Sequence, residues 1–258
     1  MAGSREARLA ALRGQIAAIQ AGTRTPTPVL PFGDSAVDGC FPGGGLPLGG
    51  WHEVTGAGLE DETGAATAAF VGLLLRPLVK TGAIVWVARR SDLFAPGLFG
   101  LGFPAERLIQ VRTRDEAETL SVLEDALSTQ GVAAAVGEAE APDLTAGRRL
   151  QLACEKRGGF GVLLHRRPYG GARKTAASGS ASFSRWRIGP SPTPPLPDDI
   201  GLGPPRWRVE LERCRGGRSG AWILEAQEAG HGPHPFRLVS QLADHDVAPT
   251  EPGLRLVG

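Results

Sequence analysis

The sequence predicts an α/β fold with a mainly parallel sheet flanked by helices, and three observations carry that expectation. Between residues 51 and 164, short runs of β-branched and aromatic residues alternate with helix-periodic stretches, the pattern of strand–helix–strand units. After residue 181 the runs alternate polar with apolar and no helix intervenes, which reads as antiparallel strands added at the C-terminal edge. With 258 residues, 41% of them hydrophobic, the chain can bury the core of one α/β domain.

The elements follow in order. Residues 5–20 read as a short amphipathic helix, with Leu9, Leu12, Ile16 and Ile19 on one stripe and Arg5, Arg8 and Arg13 off it. A helix this short is marginal alone, so it docks on its own body or on a neighbour. Residues 22–28, rich in Gly, Thr and Pro, read as a linker, which divides the chain into residues 1–28, a core at 29–230 and a weakly structured tail at 231–258. Strands are expected at 51–55, 83–88, 108–111, 132–136 and 161–164, and helices at 64–80, 115–129 and 144–156. The late strands fall at 183–188, 206–213 and 221–225, with residues 190–197 an exposed polyproline connection.

Composition narrows the function classes. No apolar run reaches the ~18 residues of a membrane span, and residues 65–75 are stopped by Arg76 and Pro77. The N-terminus lacks the apolar stretch of a secretory signal. Cys40, Cys154 and Cys214 form no paired motif, so a cytoplasmic location and no metal site are expected. His52 and His165 read as core or strand-end histidines, and His231, His234 and His245 are too dispersed for a metal. The net charge is +1, yet residues 156–218 hold thirteen Lys and Arg against four Asp and Glu. That local excess points to an anionic partner for one face.

The strand at 51–55 followed by a Gly-rich turn and a helix is where nucleotide folds bind phosphate. A working loop reads G-x-x-x-x-G-K followed by Ser or Thr, with the lysine on the β/γ-phosphates and the hydroxyl on Mg²⁺. Here five residues separate Gly58 from Gly64, the lysine position holds Ala65, the next holds Ala66, and Glu60, Asp61 and Glu62 lie in the turn that Gly56 opens. Like charges ~5 Å apart repel by roughly 3 kcal/mol at an effective dielectric of ~20. The strand at 132–136 ends in Gly137 where a metal-binding aspartate belongs, and Glu138 stands one residue late. Arg89 and Arg90 occupy the place of a catalytic carboxylate. No cofactor and no catalysis are therefore expected.

Several segments carry a resemblance. GGLPLGGWHEVTG at residues 44–56 looks like the lead-in to the RecA core. LIQVRTRDEAETL at 108–120 with EDAL at 124–127 resembles the RecA strand–helix pair before the Walker B strand. LERCRGGR at 211–218, then AWILE at 221–225, resembles RecA's late strand, basic turn and strand. Together with the degenerate loop and SRWR at 184–187, the set is similar to the ImuA family, over about residues 5–228. This resemblance implies a RecA-like core and a non-catalytic role as an adaptor in SOS-induced translesion synthesis. It implies partnership with ImuB, a Y-family polymerase relative, with RecA, and indirectly with an error-prone C-family polymerase, and no membrane partner.

Candidate surfaces follow from both readings. Arg166, Arg167, Tyr169, Arg173 and Lys174 form a basic, Gly-rich loop suited to single-stranded DNA, in the position of RecA's second DNA-binding loop by resemblance. Arg213, Arg215 and Arg218 bracket a hairpin turn and serve either DNA or edge protection. Leu9, Leu12, Ile16 and Ile19 are partner-binding candidates, and Trp186 and Trp207 are core candidates. Two alternatives stand beside the adaptor: a divergent DNA-dependent ATPase or recombinase using Glu138, and a cell-division inhibitor of the SulA type.

Overall fold

The computed structural model describes residues 27–140, 142–166, 180–194 and 203–242. The N-terminal stripe at Leu9, Leu12, Ile16 and Ile19 lies outside the described residues, as do Arg167, Tyr169, Arg173 and Lys174 and the side chains of Glu60 and Asp61.

Eleven strands form two sheets among the described residues. β1 (Val29–Leu30) and β2 (Leu46–Pro47) make a small antiparallel pair that brackets α1 (Ser35–Asp38). The other nine are β3 (Trp51–Gly56), β4 (Ala83–Ala88), β5 (Leu108–Arg112), β6 (Val132–Glu138), β7 (Phe160–His165), β8 (Ser184–Ser191), β9 (Arg206–Cys214), β10 (Gly220–Ala226) and β11 (Phe236–Gln241). They form one sheet in the order β11-β10-β9-β8-β3-β7-β6-β4-β5. From β8 to β5 all pairings are parallel, and β9, β10 and β11 continue the sheet antiparallel.

Helices cover both faces of the parallel half. α2 (Glu60–Leu75) carries apolar residues around most of its circumference, and such a helix must be buried on several sides. It lies over β3 and β8 against α3 (Ala95–Gly100) and the aromatic side chains of the late strands. Residues 62–80 are long and apolar enough to cross a membrane, and in this fold 61% of that stretch is buried as core. α4 (Glu116–Ser128) and α5 (Leu144–Arg157) cover the opposite face around Trp51, Leu123, Leu127 and Leu163. Their ends follow from local chemistry. The Asp115 carboxylate accepts from Glu118 N at 2.8 Å, and that of Asp143 accepts from Ala146 N at 2.7 Å. Gly158 closes α5 with φ at +71°.

Four local expectations are corrected. α2 begins at Glu60, not at residue 64, because three acidic residues suit the positive end of a helix. It ends at Leu75 in a 3₁₀ turn (Arg76–Lys80), since Pro77 has no N–H for the preceding turn. β8 is parallel to β3 and antiparallel to β9, so it belongs to the parallel half. It extends through Pro190 into the expected polyproline connection, where β3 has already ended and a missing N–H leaves no neighbour unsatisfied on that side.

The tail beyond residue 230 is corrected as well. β11 pairs with β10, and Phe236 enters the core. Its ring stacks on Phe70 at 4.9 Å between centroids and meets Trp207 edge-on at 5.9 Å and Phe32 at 5.9 Å. Aromatic packing thus recruits a segment whose Gly, Pro and His content reads as loop. Phe236→Ala is expected to cost about 3–4 kcal/mol, read by chemical denaturation; unchanged stability would show that β11 is not docked.

Candidate functional site

The connection from β3 to α2 is only residues 57–59. Ala57 N donates to Ile188 O at 2.7 Å, and Leu59 stands at the N-cap without a side-chain hydrogen bond. Gly64 lies inside the helix, buried, a full turn beyond its start. The expected loop from Gly56 to Gly64 is therefore mostly helix. Ala65 is exposed and Ala66 half-buried on the first turns. The Thr63 hydroxyl donates to Leu59 O at 2.8 Å and that of Thr67 to Thr63 O at 2.7 Å, so both are turned back onto their own helix. Gly56 and Gly58 are packing glycines: a Cβ on Gly56 would stand 2.2 Å from Thr63 Oγ1, and one on Gly58 3.0 Å from Glu62 Oε2.

The end of β6 also differs from expectation. The strand runs through Gly137 to Glu138. Strand alternation turns Gly137 toward α4, where a Cβ would stand 2.8 Å from Leu123 Cδ2, and turns Glu138 toward the α2 face. Glu138, one residue late in the sequence, thus still reaches the α2 face. It is already engaged: Trp86 Nε1 donates to its Oε1 at 2.7 Å, and Arg166 Nη1 lies 3.4 Å from its Oε2. Arg166 also pairs with Asp92 at 3.1 Å, and Asp92 with the exposed Arg90 at 3.2 Å. Arg166, Asp92, Leu93, Phe94 and the α2 residues Ala65, Ala68 and Ala69 line a cavity of about 360 Å³.

A second buried carboxylate, Glu53 at the centre of β3, has no counterpart in the sequence reading. It is fully buried, and Arg185 Nε donates to its Oε2 at 2.7 Å. The Ser180 hydroxyl donates to its other oxygen, and His165 Nε2 lies 3.8 Å away. Burial is the largest influence and pushes this carboxyl up. The hydrogen bonds from His165, Ser180 and Arg185, with the Arg185 charge, outweigh it and hold the pKa at about 2. The network continues to the late strands, because Arg213 Nη2 donates to Ser182 O at 2.8 Å and to Ser182 Oγ at 2.6 Å. Beside it His52 is buried, with its pKa pulled to about 3 by desolvation and its Nδ1 2.7 Å from Ser184 Oγ. The only sequence signal for Glu53 was a charged residue inside an otherwise core-facing strand.

The basic segment is less free than its charge suggests. Glu53, Asp92, Glu138 and Glu225, all outside residues 156–218, pair with Arg185, Arg166 and Arg206 within it. Arg187 pairs with Glu210 and Glu212, and Arg208 with Glu210. Arg166 and Arg213 are therefore tied to internal partners. Arg215 and Arg218 are exposed at the β9–β10 turn, bonded to Ala181 O at 2.5 Å and Gly39 O at 3.3 Å. Trp186 and Trp207 are buried in the core. Burial raises the Cys154 thiol to about 12 and the Cys214 thiol to about 11, leaving neither reactive at neutral pH. Among the described residues no three His, Cys, Asp or Glu gather as a metal site.

Over 242 residues the chain is 81% identical to Protein ImuA of Caulobacter vibrioides, in strain NA1000 / CB15N and in strain ATCC 19089 / CIP 103742 / CB 15. The match covers 92% of this chain and 99% of each relative. No family model matches. Among solved structures, SulA from Pseudomonas aeruginosa aligns with a TM-score of 0.39 and 18% identity, over 45% of this chain and 98% of that one.

Glu53→Gln leaves the Arg185 charge without its partner and is expected to cost about 3 kcal/mol at neutral pH. A depressed carboxyl pKa stabilises the fold above the unfolded value of 4.5 and loses that contribution as pH falls toward 2. The gap in stability between the two proteins should therefore close between pH 5 and pH 2 in denaturation titrations; a gap independent of pH would refute the ionised Glu53.

Proposed function

The chain belongs to the ImuA family, and from that premise we propose that it is a non-catalytic accessory protein of SOS mutagenesis, acting in the cytoplasm as an adaptor in translesion synthesis. The observation that carries the non-catalytic part is the three-residue connection between β3 and α2. A phosphate loop needs a run of backbone N–H groups free to wrap the anion, and here that run is helix. Glu60, Asp61 and Glu62 open the helix where phosphate would approach, and no lysine follows. The two threonine hydroxyls and Glu138 are committed to internal partners.

What is left is surface. The basic loop that begins at Arg166 is tied at both ends, by Glu138 and Asp92 before it and by Glu53 at Ser180 after it. The loop leaves β7 at the C-terminal edge of the parallel strands, and its sequence, with Arg167, Tyr169, Arg173 and Lys174 among glycines, is of a kind suited to single-stranded DNA. In this reading the adaptor joins an ImuB-like polymerase relative, and through it an error-prone C-family polymerase, to RecA or to exposed single strands.

Titration of the purified chain with ATP and Mg²⁺ is expected to give no saturable binding and no phosphate release, with or without single-stranded DNA. Micromolar affinity or turnover would overturn the non-catalytic reading. Co-purification from damaged cells is expected to recover the polymerase relative or RecA, and recovery of a division GTPase instead would replace the adaptor reading.

A further inference from the structure

α5 buries Gly147, Leu150, Ala153 and Cys154 on one side. Its outward side shows Leu144 at 52% and Leu152 at 64% exposure, two leucines that the core does not use. At 100° per residue, Leu144, Arg148, Gln151, Leu152 and Glu155 fall within about a third of the helix circumference, and the leucines stand ~12 Å apart along it. Gln151 lies between them, and its Nε2 donates to Gly49 O at 3.2 Å. The described chain begins at that point. Thr27 Cγ2 lies 3.7 Å from where a Cβ on Gly49 would stand, and Leu48 N donates to Pro28 O at 2.8 Å. Thr27, the first described residue, therefore lies beside Gly49, to which Gln151 of α5 is bonded.

What precedes it is residues 1–26, with Leu9, Leu12, Ile16 and Ile19 at helical spacing. We propose that this N-terminal stripe docks in its own chain on the outward face of α5, against Leu144 and Leu152. Eight residues from Ile19 to Thr27 span at most ~27 Å, enough to bring the stripe onto the helix. Three other segments outside the described residues fit less well, and of these residues 195–202 hold Leu196, Ile200 and Leu202 in a stretch whose Pro195 and Pro197 oppose a helical stripe. Residues 167–179 hold Tyr169 and no Leu, Ile, Val, Met or Phe, so they have no apolar stripe. Residues 243–258 leave from β11, which β10, β9 and β8 separate from the strands beneath α5. The pairing leaves both apolar surfaces covered, where each alone would stand in water.

The test uses the full chain carrying Ile16→Cys and Leu152→Cys and a short bismaleimide. Cys40, Cys154 and Cys214 are buried, so the two added thiols dominate the reaction. Cross-linking at the mass of one chain, unchanged on dilution and lost when Leu12→Asp is added, is the expected result. Cross-linking at the mass of two chains would show that a second copy covers α5 and would overturn the proposal. Absence of cross-linking, with both thiols shown to take up monomaleimide, would overturn it too. A far-ultraviolet spectrum and melting curve like those of the parent check that the variant is folded.

Discussion

Two carboxylates buried on parallel strands set the terms for the rest of this molecule. Glu53 on β3 and Glu138 on β6 each take a cost of desolvation that only charged or hydrogen-bonding partners can offset. Glu53 draws in Arg185, Ser180 and His165, and Glu138 draws in Trp86 and Arg166. The partners come from segments far apart in the sequence. Satisfying two buried charges therefore fixes where β7 ends, where β8 begins and where the basic loop between them leaves the body.

The same constraint decides how the positive charge of residues 156–218 is spent. Five of its arginines, Arg166, Arg185, Arg187, Arg206 and Arg208, pair with carboxylates in the described structure, and Arg213 bonds Ser182. A charge count over a segment of chain measures attraction to a partner only when those charges remain on the surface. Here acidic residues from elsewhere in the chain meet many of them first. Arg215 and Arg218 stay at the surface, on a turn of a two-strand extension.

The turn between β3 and α2 shows a related economy. Acidic residues at the start of a helix are favourable to the helix and unfavourable to a bound polyanion. Glu60, Asp61 and Glu62 thus lengthen α2 toward β3 at the expense of any loop. Gly56 and Gly58 allow the close approach of Thr63 and Glu62, so the glycines that look like remnants of a phosphate loop serve packing.

Local sequence determined the strand–helix alternation, the Asp115 and Asp143 caps, the burial of Trp186 and Trp207, and the loss of lysine at Ala65, because periodicity, capping and residue type act over a few neighbours. Tertiary structure alone decided the role of Glu53, the entry of Phe236 into the core, the parallel placement of β8 and the capture of Arg166 and Arg213. In each of those cases the deciding partner is distant in sequence. A buried charge, an aromatic contact or a strand neighbour has no signature in the chain until the fold brings its counterpart within a few ångströms.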